Sequence, residues 1–240
     1  NFDMSYLTNP YMVTAAGVTC ADPFDDSGAN WTNDATTNTI QIDTVSYPDQ
    51  LAWVSLPDDQ GEIAYRTICG ETLSNTEWYM NFNMQFVGGD PQACFVINCC
   101  SNSTALNKND GYGAGATVDV IGTYFDNNTS GNGGRRILYK DGSSAWVKSS
   151  DKIQIESGEG TLYHRVSRLT PTSTKLKISN NSDFSDDYNF DPSNASPITQ
   201  TIPSTVIGLN TWQTLSFGDG FGYDVQLQLK DLQMYNGVLP

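Results

Sequence analysis

A chain of 240 residues, 38% of them apolar and only 16% charged, has a globular composition and the length to bury roughly 70–75% of the surface its unfolded form exposes. Twelve Lys and Arg stand against 27 Asp and Glu, a net charge of −15. That field repels the phosphates of nucleic acid and anionic membrane surfaces, and no window reaches the ~18 apolar residues of a membrane span, so neither nucleic-acid binding nor membrane insertion is predicted.

The chain begins at Asn1 rather than Met and carries no signal-peptide pattern, which predicts a processed product or a piece of something longer. Asn1–Val13 holds Phe2, Met4, Tyr6, Leu7, Tyr11, Met12 and Val13, too apolar for a free tail. This arm is expected to lie across its own fold or to complete a neighbour's sheet by strand addition. Asp25–Asn38 reads as a polar loop around Trp31, followed by short strands at Thr39–Val45, Ala52–Leu56 and Glu62–Thr67. In Trp78–Phe86, five large apolar side chains alternate strictly with Tyr79, Asn81, Asn83 and Gln85, the period of a strand with one face on a core. Gly88-Gly89-Asp90-Pro91 is expected to end it. Ala93–Ile97 and Ala116–Tyr124 follow as strands. Arg136–Tyr139 and Ala145–Lys148 flank Asp141-Gly142, a hairpin signal. Lys152–Glu156 alternates again. Leu162–Leu169 and Lys175–Ser179 are predicted as a hairpin joined by the five residues Thr170–Thr174, and Asp183–Ser196 as an irregular loop. Thr205–Gly208 leads into a strand at Thr211–Phe217.

In the last strand, Val225, Leu227 and Leu229 alternate with polar residues, and then the phase slips by one before Leu232 and Met234, as a β-bulge requires. Roughly a dozen short strands with turns every 8–12 residues predict one antiparallel β-sandwich without helices; all-β domains of this kind commonly run about 200–250 residues.

The bulged terminal strand in FGYDVQLQLKDLQMYNG, residues 221–237, closing on Tyr235-Asn236-Gly237, resembles the last strand of laminin-G-like, concanavalin A-like jelly rolls. So does LYHRVSRLTPTSTKLKISNNSDF, residues 162–184, in which Tyr163, Arg168, Leu176, Ile178, Asp183 and Phe184 fit the paired-hairpin pattern of those domains. A similar string recurs in predicted surface and virion proteins of marine microbes and their viruses. The resemblance covers most of residues 35–237 and implies an all-β concanavalin A-like sandwich. It implies an extracellular, cell-surface or virion-surface module, structural or adhesive, that self-associates into an oligomer or filament. The alternative is a lectin-like module binding surface glycans with calcium.

Catalysis is not predicted. Glucanases of this fold need two carboxylates facing one cleft, and Glu62, Glu71, Glu77, Glu156 and Glu159 stand in no such arrangement. A Ser-His-Asp triad would have to use His164, the only histidine, which sits mid-strand with no nucleophile elbow in the chain. Asp187-Tyr188-Asn189-Phe190-Asp191 places oxygen side chains at alternate positions as calcium loops do, without the Gly and Glu of an EF-hand; legume-type lectins use a similar Asp–aromatic–Asn order. Asp187, Asn189 and Asp191 are thus candidate calcium ligands, and Asp126-Asn127-Asn128 forms a second oxygen-rich loop. Trp31 and Tyr112 lie outside strand patterns and are candidates to stack on a sugar ring, whereas Trp53, Trp78, Trp146 and Trp212 read as core. Asn-x-Ser/Thr acceptors for glycosylation occur at Asn30, Asn102, Asn127, Asn128 and Asn180, and at Asn194, the weakest because Pro197 follows it. Cys20, Cys69, Cys94, Cys99 and Cys100 are odd in number, which in an exported chain predicts two bridges and one thiol. A local bridge among Cys94, Cys99 and Cys100 is expected, with Cys99 and Cys100 facing different partners. Zinc would want more histidines.

Overall fold

The structure, a computed structural model, describes residues 18–22, 31–33, 40–44, 47–53, 61–68, 71–89, 94–103, 117–127, 133–155, 160–218 and 225–237. In chain order the described strands are β1 (Val18–Asp22), β2 (Thr32–Asn33), β3 (Ile40–Thr44), β4 (Tyr47–Trp53), β5 (Gly61–Thr67), β6 (Trp78–Gly89), β7 (Cys94–Ser101) and β8 (Val120–Asn127). Then come β9 (Gly133–Lys140), β10 (Val147–Lys148), β11 (Ile153–Ile155), β12 (Leu162–Thr170), β13 (Ser173–Ser179), β14 (Ile198–Thr201), β15 (Thr211–Gly218) and β16 (Val225–Asn236). One turn of 3₁₀ helix at Pro192–Asn194 is the sole helical element among the described residues, and no helix among them is long and apolar enough to cross a membrane.

Two eight-stranded sheets result. Sheet A runs β14-β13-β12-β6-β16-β4-β3, with β1 also paired to β16; sheet B runs β10-β9-β8-β7-β15-β5-β2, with β11 also paired to β9. Alternation decides what each face carries. Trp78, Met80, Phe82 and Met84 of β6 are buried and share one cluster with Leu162 and Val166 of β12, Leu176 and Ile178 of β13, and Cys100, Ile121, Ile137 and Trp212 of sheet B. This is the inter-sheet core. Trp212 Nε1 points at Met80 Sδ across it, 3.0 Å away. Each buried side chain of this size contributes about 1.5–3 kcal/mol by leaving water.

Sheet B is covered on its other face as well. Ile63, Ile97, Cys99, Val118, Val120, Tyr124 and Leu138 form a second buried cluster, with Tyr65 and Trp146 packed against it. Gly122 of β8 pairs with Cys99 in this layer, and its missing side chain is required: a Cβ there would stand 2.3 Å from the Asn98 carbonyl oxygen.

The predicted bulge is present. Lys230 pairs with Asn83 and Gln233 with Asn81, so one extra residue is accommodated on β16, and Asp231 takes it up at φ 52°. The hairpin at Asp141-Gly142 is also formed, with Val147 opposite Tyr139 and Gly142 at φ 53°. The β12–β13 turn is tighter than expected, since Thr170 already pairs with Ser173 around Pro171-Thr172. Thr205–Gly208 is irregular, and Ile198–Thr201, just past the predicted loop Asp183–Ser196, forms a strand paired to β13. Asp119 knots one end of the sandwich: it accepts from Gly142 N (2.8 Å) and Ile207 N (3.1 Å), while its own N–H donates to Asn102 Oδ1 (3.0 Å). The Asn1–Val13 arm lies outside the described residues.

Candidate functional site: a polar cleft on the outer face of sheet A

Sheet A turns its other face outward, and the same alternation that fills the core loads this face with amides, tyrosines and cations. Register aligns Tyr163, Asn83 and Lys230 in one cross-strand row, Arg165, Asn81 and Gln233 in the next, and Ser167, Tyr79 and Tyr235 in a third. Rows lie about 7 Å apart, two residues of a strand. Between the first two opens a cleft of about 120 Å³, lined by Asn81, Asn83, Tyr163, Ser182, Phe184, Asp231 and Gln233.

The walls are held by specific bonds. Asn83 Nδ2 donates to Asp231 Oδ2 at 2.6 Å, which orients the amide carbonyl and leaves the second carboxylate oxygen as an acceptor. Arg165 Nε donates to Asn81 Oδ1 at 2.9 Å, and the guanidinium carbon lies 3.9 Å from the centre of the Phe184 ring. Tyr235 donates to Gln233 Oε1 and Tyr79 to Glu77 Oε1, each at 2.8 Å. Burial, with the Glu77 bond second, raises the Tyr79 hydroxyl above its usual range, and burial does the same to Tyr235; both rings stay protonated donors at neutral pH.

Two residues of the cleft adopt backbone conformations that L side chains avoid. Phe184 at φ 58° and Asp231 at φ 52° are the positive-φ non-glycine residues among those described. A bulky residue there is a genuine outlier, and such strain gathers at ligand sites. The tight turn Asn181–Phe184 presents the Phe184 ring, its N–H donating to the Asn181 carbonyl at 3.0 Å.

The residues singled out in sequence fare differently. Trp31 is a correction: it is buried, its ring set edge-on to Trp212 with centroids 4.8 Å apart and with the Arg66 guanidinium over it. The flanking β2 draws it into the core, so it offers no open face to a sugar. Tyr112 lies outside the described residues. At 187–191 the two carboxylates are engaged by different partners, and Asn189 is exposed. Asp187 is ion-paired with Lys177 at 2.9 Å, buried Tyr188 bonds through its N–H to the Ile178 carbonyl, and Asp191 caps the 3₁₀ turn by accepting from Ser193 N at 2.9 Å and Asn194 Nδ2 at 2.7 Å. Those bonds, Ser193 first, lower the Asp191 pKa. A segment whose charges are already spent in this way does not fit a calcium ion, and among the described residues no three His, Cys, Asp or Glu come together. The side chains of the Asp126-Asn127-Asn128 loop lie outside the described residues.

The expected local disulfide is also corrected. Cys94 and Cys99 are on one extended strand, five residues and about 17 Å apart, well beyond the Cα separation of a bridge. Cys99 and Cys100 are buried free thiols on opposite faces of sheet B, Cys100 against Met80 Sδ at 3.7 Å. Cys69 and the side chains of Cys20 and Cys94 lie outside the described residues. Of the glycosylation sites, Asn102 and Asn180 are exposed, while Asn194 donates to Asp191 and Ser193; Asn30, Asn128 and the side chain of Asn127 lie outside the described residues.

Sequence reading missed the cleft itself. Its signal was present in β6, where the wet positions carry Asn81 and Asn83 rather than the Lys and Glu of an ordinary solvated face, and in the phase slip that lifts Asp231.

No protein-family model matches the chain and no curated protein matches it in sequence. Among solved structures it is similar to the carbohydrate recognition domain of Emp47p, with a TM-score of 0.61 and 11% identity over 95% of this chain and 98% of that one. It is similar to the exoplasmic/lumenal domain of VIP36 bound to Ca2+ and Man3GlcNAc (TM-score 0.53, 10% identity, 88% and 85% covered). It is similar, too, to the CBM2 module of the evolved Dit of Lactobacillus casei BL23 phage J-1 (TM-score 0.55, 9% identity, 94% and 100% covered). At such low identity over nearly the whole of each chain the shared property is architecture: this chain has the concanavalin A-like lectin fold.

Proposed function

We propose that this chain is a carbohydrate-binding, lectin-like module that catalyses no reaction and reads sugar at the outer face of sheet A. The observation that carries the reading is the convergence, in one cleft, of the Asn81, Asn83 and Gln233 amides, the Asp231 carboxylate and the half-buried Tyr163 ring. Planar amides and a carboxylate are the partners of sugar hydroxyls, and a ring beside them supplies the apolar contact that a pyranose face needs. The fold shared with the Emp47p and VIP36 domains supports it.

Calcium belongs to the solved VIP36 complex. In this chain Asp187 and Asp191 do not fit the ion, so a calcium response would arise elsewhere than at 187–191. The likeness to the exoplasmic/lumenal domain of VIP36 supports a chain working outside the cytosol. The likeness to a phage Dit module supports a second reading in which glycan binding serves a surface assembly, with the module as its adhesive subunit.

The test is a glycan array followed by calorimetric titration, with and without chelator. We expect binding that Asn83→Ala and Tyr163→Ala each weaken about tenfold or more, with melting temperatures close to wild type. An array without hits removes the reading. Size-exclusion in the absence of sugar decides the second one: a monomer removes intrinsic self-assembly.

A further inference from the structure

We propose that the cleft prefers an N-acetylated sugar and reads it by the secondary amide of the acetamido group. This rests on the glycan-binding reading and adds the class of ligand.

The bonds within the wall leave a directed set of unused groups. Asn81 Oδ1 accepts from Arg165 Nε and Gln233 Oε1 from the Tyr235 hydroxyl, so each of these amides is left with an NH2 group, which donates and cannot accept. Asn83 is turned the other way. Its Nδ2 donates to Asp231 Oδ2, which leaves Asn83 Oδ1 and Asp231 Oδ1 as acceptors. Asn81 Nδ2, Gln233 Nε2 and these two oxygens have no hydrogen-bond partner among the described residues, and all four side chains line the cleft. Asn81 is only 9% exposed. A donor so deep is costly to leave unpaired, and the acceptor that completes it comes from whatever fills the cleft.

The two kinds of group are divided by row. Asn81 and Gln233 are direct partners in the β6–β16 register, and both donate; Asn83, one row along, and Asp231, on the bulge between, accept. A hydroxyl donates or accepts as required, so hydroxyls alone do not call for this division. A secondary amide does: its carbonyl oxygen only accepts, its N–H only donates, and the two stand on opposite edges of one rigid plane. An acetamido group laid between the rows gives its oxygen to the Asn81 and Gln233 NH2 groups and its N–H to Asn83 Oδ1 or Asp231 Oδ1. The Phe184 and Tyr163 rings of the lining supply apolar contact for its methyl. A free ammonium at the same ring position would suit Asp231 but oppose the two NH2 groups, so the pattern also separates the acetylated sugar from its amine.

The experiment uses the whole chain and two matched pairs of probes: chitotriose against cellotriose, and N-acetylgalactosamine against galactose. We expect the acetylated member of at least one pair to bind about tenfold tighter or more, with saturation-transfer NMR placing its strongest signal on the acetyl methyl. The fully deacetylated chitosan trimer should lose the advantage. Gln233→Glu keeps the length of the side chain but turns a donor into an acceptor, and it should abolish the preference; Lys230→Gln, outside the lining, should keep it. Circular dichroism and melting of each variant control for folding, and if Gln233→Glu does not fold, the wild-type pairs and the methyl signal still decide. Equal affinity within both pairs, a deacetylated trimer that binds as tightly as chitotriose, or a preference that survives Gln233→Glu overturns this inference while glycan binding stands. No binding of any sugar overturns both.

Discussion

His164 lies flat on Phe82, ring centroids 5.0 Å apart and planes 8° from parallel, at full burial between the sheets. Its Nδ1 is 3.1 Å from the Leu162 carbonyl oxygen. Burial first, and the charge of Arg135 second, hold the imidazole pKa well below its ordinary value. The only histidine of the chain is a core residue, and its chemistry is that of stability.

The pH dependence follows with a definite sign. The native ring stays neutral, whereas the unfolded ring takes a proton near pH 6.5. Below that pH the unfolded state binds more protons, so stability falls as pH falls, by up to about 1.4 kcal/mol per pH unit. Urea unfolding at steps between pH 6.5 and 5 should show this slope, and His164→Phe should flatten it without changing the dependence on denaturant. At lower pH a different group acts: bonds from Ser179 and Asn180 hold Asp186 at about 2, so the 179–186 turn loses support as pH falls from about 4 towards 2.

Gly122→Ala should destabilise strongly. The new methyl would meet the Asn98 carbonyl oxygen at 2.3 Å and Cys99 Cβ at 2.4 Å, and a strand in mid-sheet has little room to retreat. We expect a loss of about 1–3 kcal/mol or more, read as a drop in the denaturation midpoint. A midpoint equal to wild type would contradict the packing described for this layer.

Trp31→Ala should cost about 3–5 kcal/mol, the range for a large aromatic removed from a core, because the ring is edge-packed on Trp212. Where the variant is still folded, its sugar affinity should equal wild type. A stable variant that loses sugar binding would restore Trp31 to the role its sequence context implied.

Cys99 and Cys100 should be inert to thiol reagents in the native state and titrate as two thiols on unfolding. Burial raises both above the ordinary thiol range, and the thiolate is the reactive form. Modification of either in the folded chain at neutral pH would show that sheet B opens.

Much of the fold was legible because its cause is local. Alternation in β6, the Asp141-Gly142 turn and the slipped phase before Leu232 are each written within a dozen residues, and each appears where it was expected. What stayed hidden depends on partners distant in sequence. Trp31 looks exposed until β5 draws β2 alongside and Trp212 receives its ring. Ile198–Thr201 becomes a strand because β13 offers it an edge. Cys94 and Cys99 look bridgeable until the strand that holds both is extended. The cleft was unreadable for the same reason: Asn83 and Asp231 stand 148 positions apart and meet only across the β6–β16 pairing.

The two sheets differ in how freely their sequences can drift. Sheet B is packed on both faces, so nearly every substitution in it is taxed by folding. On the outer face of sheet A, Asn83 and Gln233 are only half-buried, and exchanges at surface positions commonly alter stability by under about 0.5 kcal/mol. Descendants of this chain can therefore exchange Asn83 or Gln233 one at a time while the scaffold persists, whereas Asn81, buried and bonded to Arg165, is held by packing; the rim of the cleft is the place where recognition can diversify fastest.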